Sequence, residues 1–152
     1  MSSATDSQAQ PNFTVKGQYI KDLSFENPNA PQSLLSSASA PSIDVSVDLK
    51  ATRLQETIYE TTLHLSARAS VEGSALFLVD LVYAGIFELK NIPAERVETL
   101  LLVECPFVLF PFARRVIADV TRDGGFPPLM LDPIDFHALY LHNAARKSAP
   151  AA

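Results

Sequence analysis

The residues best able to do chemistry in this chain are few and scattered. Three histidines (His64, His137 and His142) are the candidate metal ligands or general bases, and Cys105 is the single thiol. His137 and His142 are five apart, about 140° around a helix at 100° per residue, so they face different ways. His64 stands alone on the polar side of a strand-like alternation. Cys105 lies between an apolar run and Pro106, with no neighbouring His or Lys to lower its pKa, and reads as a small buried hydrophobe. One cysteine also excludes an internal disulfide framework and a zinc cage built on thiolates. The chain has no GxSxG, no GxGxxG and no P-loop lysine motif, and Gly124-Gly125 reads as a helix stop. Carboxylates are spread along the chain with no pair obviously sharing a pocket. No catalytic residue, no metal site and no cofactor are therefore expected.

Charge and composition narrow the classes further. A net charge of -5 over 152 residues argues against a nucleic-acid or anionic-membrane binder, which would need a basic face. With 47% apolar and 19% charged residues the composition is globular, and the length suits one domain with one core. The first ten residues carry no positive cluster and no apolar stretch, and no run reaches about 18 apolar residues. A soluble, cytosolic protein is expected, with no nucleic-acid partner and no insertion into a membrane.

The elements that must position any site follow from periodicity. Residues 1–11 read as a flexible tail, 12–146 as one domain and 147–152 as a second tail. From Phe13, apolar residues at odd positions (Val15, Tyr19, Leu23, Phe25) alternate with polar ones, a long strand with a break near Tyr19-Ile20. Asn27 to Ser42, with three prolines among serines, is a long loop of a kind that is usually functional. Ile43–Leu49 and Tyr59–Val71 alternate as half-buried strands. Glu72-Gly73-Ser74 turns into a third strand, Ala75 to Leu89, which makes an antiparallel meander the economical topology. Pro93 starts a helix that Cys105-Pro106 stops, Pro111 opens a second, and Asp132-Pro133, with Asp135 three residues on, opens a third. Strands first and helices after give an α+β domain.

Two features suit binding better than chemistry. The strand Ala75–Leu89 is apolar on both faces around Asp80, as in a central strand covered on both sides or in a contact surface for another subunit or protein. The loop GGFPPLML, at 124–131, crowds Phe126, Leu129, Met130 and Leu131 on a proline-stiffened segment. It is either a loop tucked against a helix or a soft apolar binding element.

Four segments carry a resemblance that covers nearly the whole chain: YIKDLSFENPNAP at 19–31, AGIFEL at 84–89, CPFVLFPFAR at 105–114 and GGFPPLMLDPIDFHALY at 124–140. In order and spacing the sequence resembles the SecB protein-export chaperones. It departs from them at Ala84, where a second glycine is common, and in a short uncharged end after Lys147. The resemblance implies a four-stranded antiparallel β-sheet with helices packed on one face, assembled as a homotetramer, a dimer of dimers. It implies a cytosolic chaperone that binds unfolded precursor proteins and delivers them to the SecA motor ATPase, without a cofactor. A SecB-like chaperone dedicated to a toxin-antitoxin system is the alternative.

The resemblance also implies roles for residues. Its SecA-docking surface matches Asp22, Glu26, Leu78 and Asp80, and strand parity independently puts all four at even positions. A client-binding groove between the crossover loop and the loop joining the helices would use Leu34, Leu35, Phe126, Leu129, Met130, Phe136 and Tyr140. Val79, Leu81 and Tyr83 then point to the opposite face, under the helices and towards a subunit interface.

Overall fold

The computed structural model describes residues 10–35 and 40–148, with side chains described through residue 146. Residues 1–9 and 149–152 of the two expected tails lie outside the described residues. Four strands, β1 (Asn12–Glu26), β2 (Ser42–Arg53), β3 (Ile58–Val71) and β4 (Ser74–Lys90), form one antiparallel sheet in the order β1-β4-β3-β2. The meander β2-β3-β4 is the expected one. Its tight turn between β3 and β4 places Glu72 and Gly73 at φ 51° and 79°, the positive values that a two-residue hairpin turn demands. β1 lies on the far side of β4, and the long crossover that leads from it to β2 holds a short 3₁₀ turn, Gln32–Leu34.

Helices cover one face. α1 (Ala94–Thr99), a π-turn (Leu100–Glu104) and α2 (Cys105–Asp123) run end to end, and α3 (Phe136–Ser148) follows the apolar loop. The expected helix break at Cys105-Pro106 is not there. Instead the Cys105 N–H reaches back five residues to the Leu100 carbonyl, and this wider turn absorbs a proline that has no N–H to give. Pro111 likewise sits inside α2 and does not start a helix. The wide turn leaves the Leu101 carbonyl without a helical donor, because its next partner in the π register is Pro106. The buried Thr61 hydroxyl on β3 supplies that donor at 3.0 Å. α3 starts later than expected, since Asp135 and not Asp132 caps it: its carboxylate accepts the Ala138 N–H at 3.0 Å. The helix then runs through Ser148, two residues beyond the domain end expected at 146.

Cys105, Leu109, Ala113, Ile117 and Thr121 recur every four residues and form the buried stripe of α2. They pack on Leu63, Leu65, Val79, Leu81 and Phe87 of the sheet's covered face. Gly85 allows the close approach, because a Cβ there would stand 2.8 Å from Leu109.

Parity in β1 is less simple than an unbroken alternation. Register shifts between Val15 and Gly17 and between Ile20 and Asp22 leave Lys16 and Lys21 as extra residues. The first bulge puts Tyr19 on the open face, opposite Ala84, against the expectation that it is buried with Phe13 and Val15. The second bulge reverses the first. Bulges and lysines are also how edge strands avoid uncontrolled pairing, and β1 is an edge.

Candidate functional site

Three surfaces come from this arrangement. The first is an apolar seam where the crossover meets the loop at 124–131. Phe25 stacks on Phe77 at 5.9 Å between centroids, and Phe77 meets Phe126 at 5.0 Å. Leu34 lies over Gly125, so that a Cβ there would be 3.1 Å from its side chain. The Asn27 amide donates to the Gly124 carbonyl at 3.1 Å, and the Ser33 hydroxyl donates to Asn27 at 3.0 Å, which ties the two loops together. From the other side, the Leu129 N–H donates to the buried Thr121 hydroxyl at 2.9 Å. Leu34, Phe126 and Leu129 are thus brought together, with Leu35 (81% exposed) and Met130 (61%) standing out as free apolar ends.

The remaining two groove candidates fall elsewhere. Phe136 is 3% exposed and meets Phe110 edge-on at 6.0 Å, so it is core and has no surface to offer a client. Its position as the first residue of α3 turns it inward. Tyr140 lines a separate groove of about 680 Å³ between β2, the π-turn and α3, with Leu49 and Leu102 as apolar walls and Glu98 and Arg146 at its sides. Leu49 pairs with Leu63, six residues along β3 from the Ala69 that pairs with Phe77. At about 3.3 Å per residue, roughly 20 Å separates this groove from the seam.

The second surface is the open face of the sheet. Here Glu26 lies opposite Leu78, Ser24 opposite Asp80 and Asp22 opposite Val82, so Asp22, Glu26, Leu78 and Asp80 share one face. Asp80 is held by β3: His64 Nε2 is 2.7 Å from one carboxylate oxygen, and the Ser66 hydroxyl donates to the other at 2.9 Å. His64 is therefore not alone, as its sequence surroundings suggest, because its partner comes from the next strand. Further along this face, the Tyr19 hydroxyl donates to Glu60, which also accepts from Lys21 at 2.9 Å. These two hydrogen bonds hold the Glu60 carboxyl below its ordinary value, while burial and the Glu60 carboxylate push Tyr19 up to about 12. The Tyr19 ring must cross β4 at Ala84 to do so, which explains why only a very small residue stands there.

The third surface corrects an expectation. Val79, Leu81 and Tyr83 are 2%, 0% and 8% exposed, closed within this chain's own core, and show no open face to a second subunit. The reason is position, since the covered face of β4 lies at the centre of the sheet under α2. The apolar side chains left open lie on β1 (Phe13, Val15, Ile20 and Leu23) and on α2 (Phe107 and Phe112). Alternation alone counts Phe13, Val15 and Leu23 as buried, because it cannot show that β1 is an edge, and it puts Ile20 on the polar side, because it does not show the bulge at Lys16. Phe107 and Phe112 each follow a proline of the helix, the one hint available in sequence.

Burial pushes the Cys105 thiol up to about 12, away from a thiolate nucleophile. Among the described residues no cluster of His, Cys, Asp or Glu could hold a metal ion, and no helix is long and apolar enough to cross a membrane.

Comparison with known proteins agrees with this architecture. Residues 6–147 match the family model described as preprotein translocase subunit SecB. The protein-export protein SecB of Parvibaculum lavamentivorans is 54% identical over 142 residues, 93% of this chain and 83% of the relative. That of Rhodopseudomonas palustris strain BisB18 is 50% identical over 142 residues, 93% of this chain and 87% of the relative. In fold, the chain resembles a SecB-like chaperone of Mycobacterium tuberculosis solved with an antitoxin peptide. The TM-score is 0.68 at 15% identity, covering 80% of this chain and 90% of that one. With a four-stranded antiparallel sheet, helices on one face and half-identical relatives along nearly its full length, the chain belongs to the SecB family of protein-export chaperones.

Proposed function

We propose that this export chaperone holds non-native secretory precursors in the cytosol and hands them to SecA, using different surfaces for the two tasks. The observation that carries this reading is the separation itself: the apolar seam lies on the helix side, while the acidic patch lies on the open side of the same sheet. An unfolded client exposes apolar side chains, and the seam at Leu34, Phe126, Leu129 and Met130, with Leu35 at its rim, offers soft apolar contacts. Tyr140 belongs to a second groove about 20 Å away, which suits an extended chain touching several weak sites. Phe136 supports these loops from the core. Asp22, Glu26 and Asp80 around Leu78 form the docking patch for a basic surface of SecA.

Assembly as a dimer of dimers is part of the proposal, with the open side chains of β1 and α2 as its contacts in place of Val79, Leu81 and Tyr83. The antitoxin-dedicated alternative has less support: the relatives at half identity are export proteins, and the likeness to the antitoxin-bound structure is one of fold.

The test pairs two measurements on Asp80→Lys. SecA affinity should fall severely and suppression of client aggregation should be unchanged. Normal SecA binding by that variant, or loss of client holding first, overturns the assignment of the face.

A further inference from the structure

The open face holds one contact that the docking reading does not use. Asp80 is exposed enough to meet a partner, yet both of its carboxylate oxygens are already engaged by the neighbouring strand. Ser66 stands directly opposite it on β3, and His64 is one pair further along, opposite Val82. An ionised carboxylate only accepts, so His64 must present Nε2–H to it, and a neutral imidazole in that tautomer can do so. Adding a proton at Nδ1 keeps this hydrogen bond and changes only the charge. The pair then goes from -1 to 0 with little movement.

We infer that His64 and Ser66 are positioning residues of the docking patch, and that His64 sets how much negative charge Asp80 presents to a basic partner. This rests on the reading of the open face as the SecA-docking surface. Ser66 and His64 fix the carboxylate's direction in every protonation state. His64 adds a dependence on pH, because histidine is the ordinary side chain that changes charge between pH 5 and 8. Protonated, it sits where the partner's cation must come and opposes it. Neutral, it leaves the full charge of Asp80 available. Docking therefore strengthens as pH rises through the histidine range.

The other charged groups around His64 do not compete for this role. On β2, Asp48 is directly opposite, with Lys50 and Asp44 further along. On β4 the contact is Asp80 itself, and on β1 Asp22 lies beyond Val82. On β3, Glu60 and Arg68 are four residues away on either side. The others are carboxylates, a lysine and an arginine, side-chain types that do not ordinarily change charge between pH 6 and 8, so a change in docking over that range that depends on this face points to the imidazole.

The experiment measures SecA affinity at pH 6 and pH 8, at constant ionic strength, for the unaltered chain and for His64→Gln, Ser66→Ala and Asp80→Asn. Light scattering checks that assembly is the same in all four. His64→Gln keeps a donor and removes the titration. The ratio of dissociation constants, pH 6 over pH 8, should be about two- to fivefold larger for the unaltered chain than for His64→Gln, the range expected for one exposed charge pair. Asp80→Asn should bind more weakly at pH 8 by a similar factor and, because His64 remains in place, keep a dependence on pH. Ser66→Ala should weaken docking at both pH values and keep the slope. Equal ratios for the unaltered chain and His64→Gln, with Asp80→Asn still weakened, overturn this inference and leave the docking reading standing. Asp80→Asn binding as well as the unaltered chain overturns both.

Discussion

Replacing Thr121 with valine should loosen the loop at 124–131, the proposed client contact, while leaving the sheet intact. The Thr121 side chain is fully buried, and its hydroxyl both donates to the Ile117 carbonyl at 2.9 Å and accepts the Leu129 N–H at 2.9 Å. Valine has the same shape and branching, so packing and helix propensity change little. The Ile117 carbonyl loses a second donor that it can spare, since it still has its helical one. The Leu129 N–H loses its acceptor, and a half-buried amide left unpaired costs about 1–2 kcal/mol, within the usual ~1–3. The loop can meet that cost by staying put, which lowers global stability, or by lifting off, which leaves it local. In either case the Leu129 amide should exchange with solvent about 5- to 30-fold faster, at tenfold per 1.4 kcal/mol. Strand amides such as that of Leu65 should keep their protection if the effect is local. Thr121→Ser should restore slow exchange, and client affinity should follow the amide. If Leu129 exchanges at the same rate in Thr121→Val and urea unfolding is unchanged, the loop is held by its apolar contacts alone and the argument from the hydroxyl fails.

Thr61→Val should cost about 1–3 kcal/mol in urea unfolding, because it orphans the Leu101 carbonyl where Pro106 cannot donate; a loss below 0.3 kcal/mol would mean that the carbonyl finds another partner. Gly124→Ala should destabilise by about 1–3 kcal/mol and weaken client binding, since a Cβ there would be 2.3 Å from the Phe25 ring and would push it out of the seam; unchanged melting would show that the ring gives way freely. Glu60 has a lowered pKa, so the unfolded chain binds its proton more readily than the folded one. Its contribution is complete above the ordinary carboxylate pKa and is lost as pH falls through the folded value, so Glu60→Gln should flatten the acid side of the stability profile. Tyr19 has the opposite sign: its raised pKa favours the neutral form, so its contribution is lost only as pH climbs from 10 towards 12.

How much of this was legible in the sequence depends on whether local pattern or distant partners decided it. The meander, the turn at Glu72-Gly73 and the covered face of β3 follow from local pattern, whereas β4 is apolar on both faces and its covered side is not read from alternation. The helices did not follow from their prolines. A proline removes one donor, and whether the helix stops there depends on a compensating group such as Thr61, which is 40 residues from the Leu101 carbonyl it serves. The interface residues failed for a related reason, since alternation reports which side chains share a face and not whether another layer of the same chain covers them.

The open face of the sheet is the instructive case. Asp22 and Glu26 fall on the face of Asp80 by simple parity, yet β1 does not keep simple parity. One bulge at Lys16 reverses the strand's faces, and only a second at Lys21 restores them before Asp22. Between the two, Tyr19 takes the open face and reaches across Ala84 to Glu60. A strand with one bulge would have turned Asp22 and Glu26 towards α2, where carboxylates could not remain charged at tolerable cost. The polar residues on either side of the irregular stretch thus require an even number of reversals between Val15 and Asp22, and the single break expected near Tyr19-Ile20 falls between the two bulges rather than at either. The partner of Asp80 leaves no such trace, because His64 and Ser66 reach it only through the pairing of β3 with β4, and a histidine is seen to face a carboxylate only once that register is known.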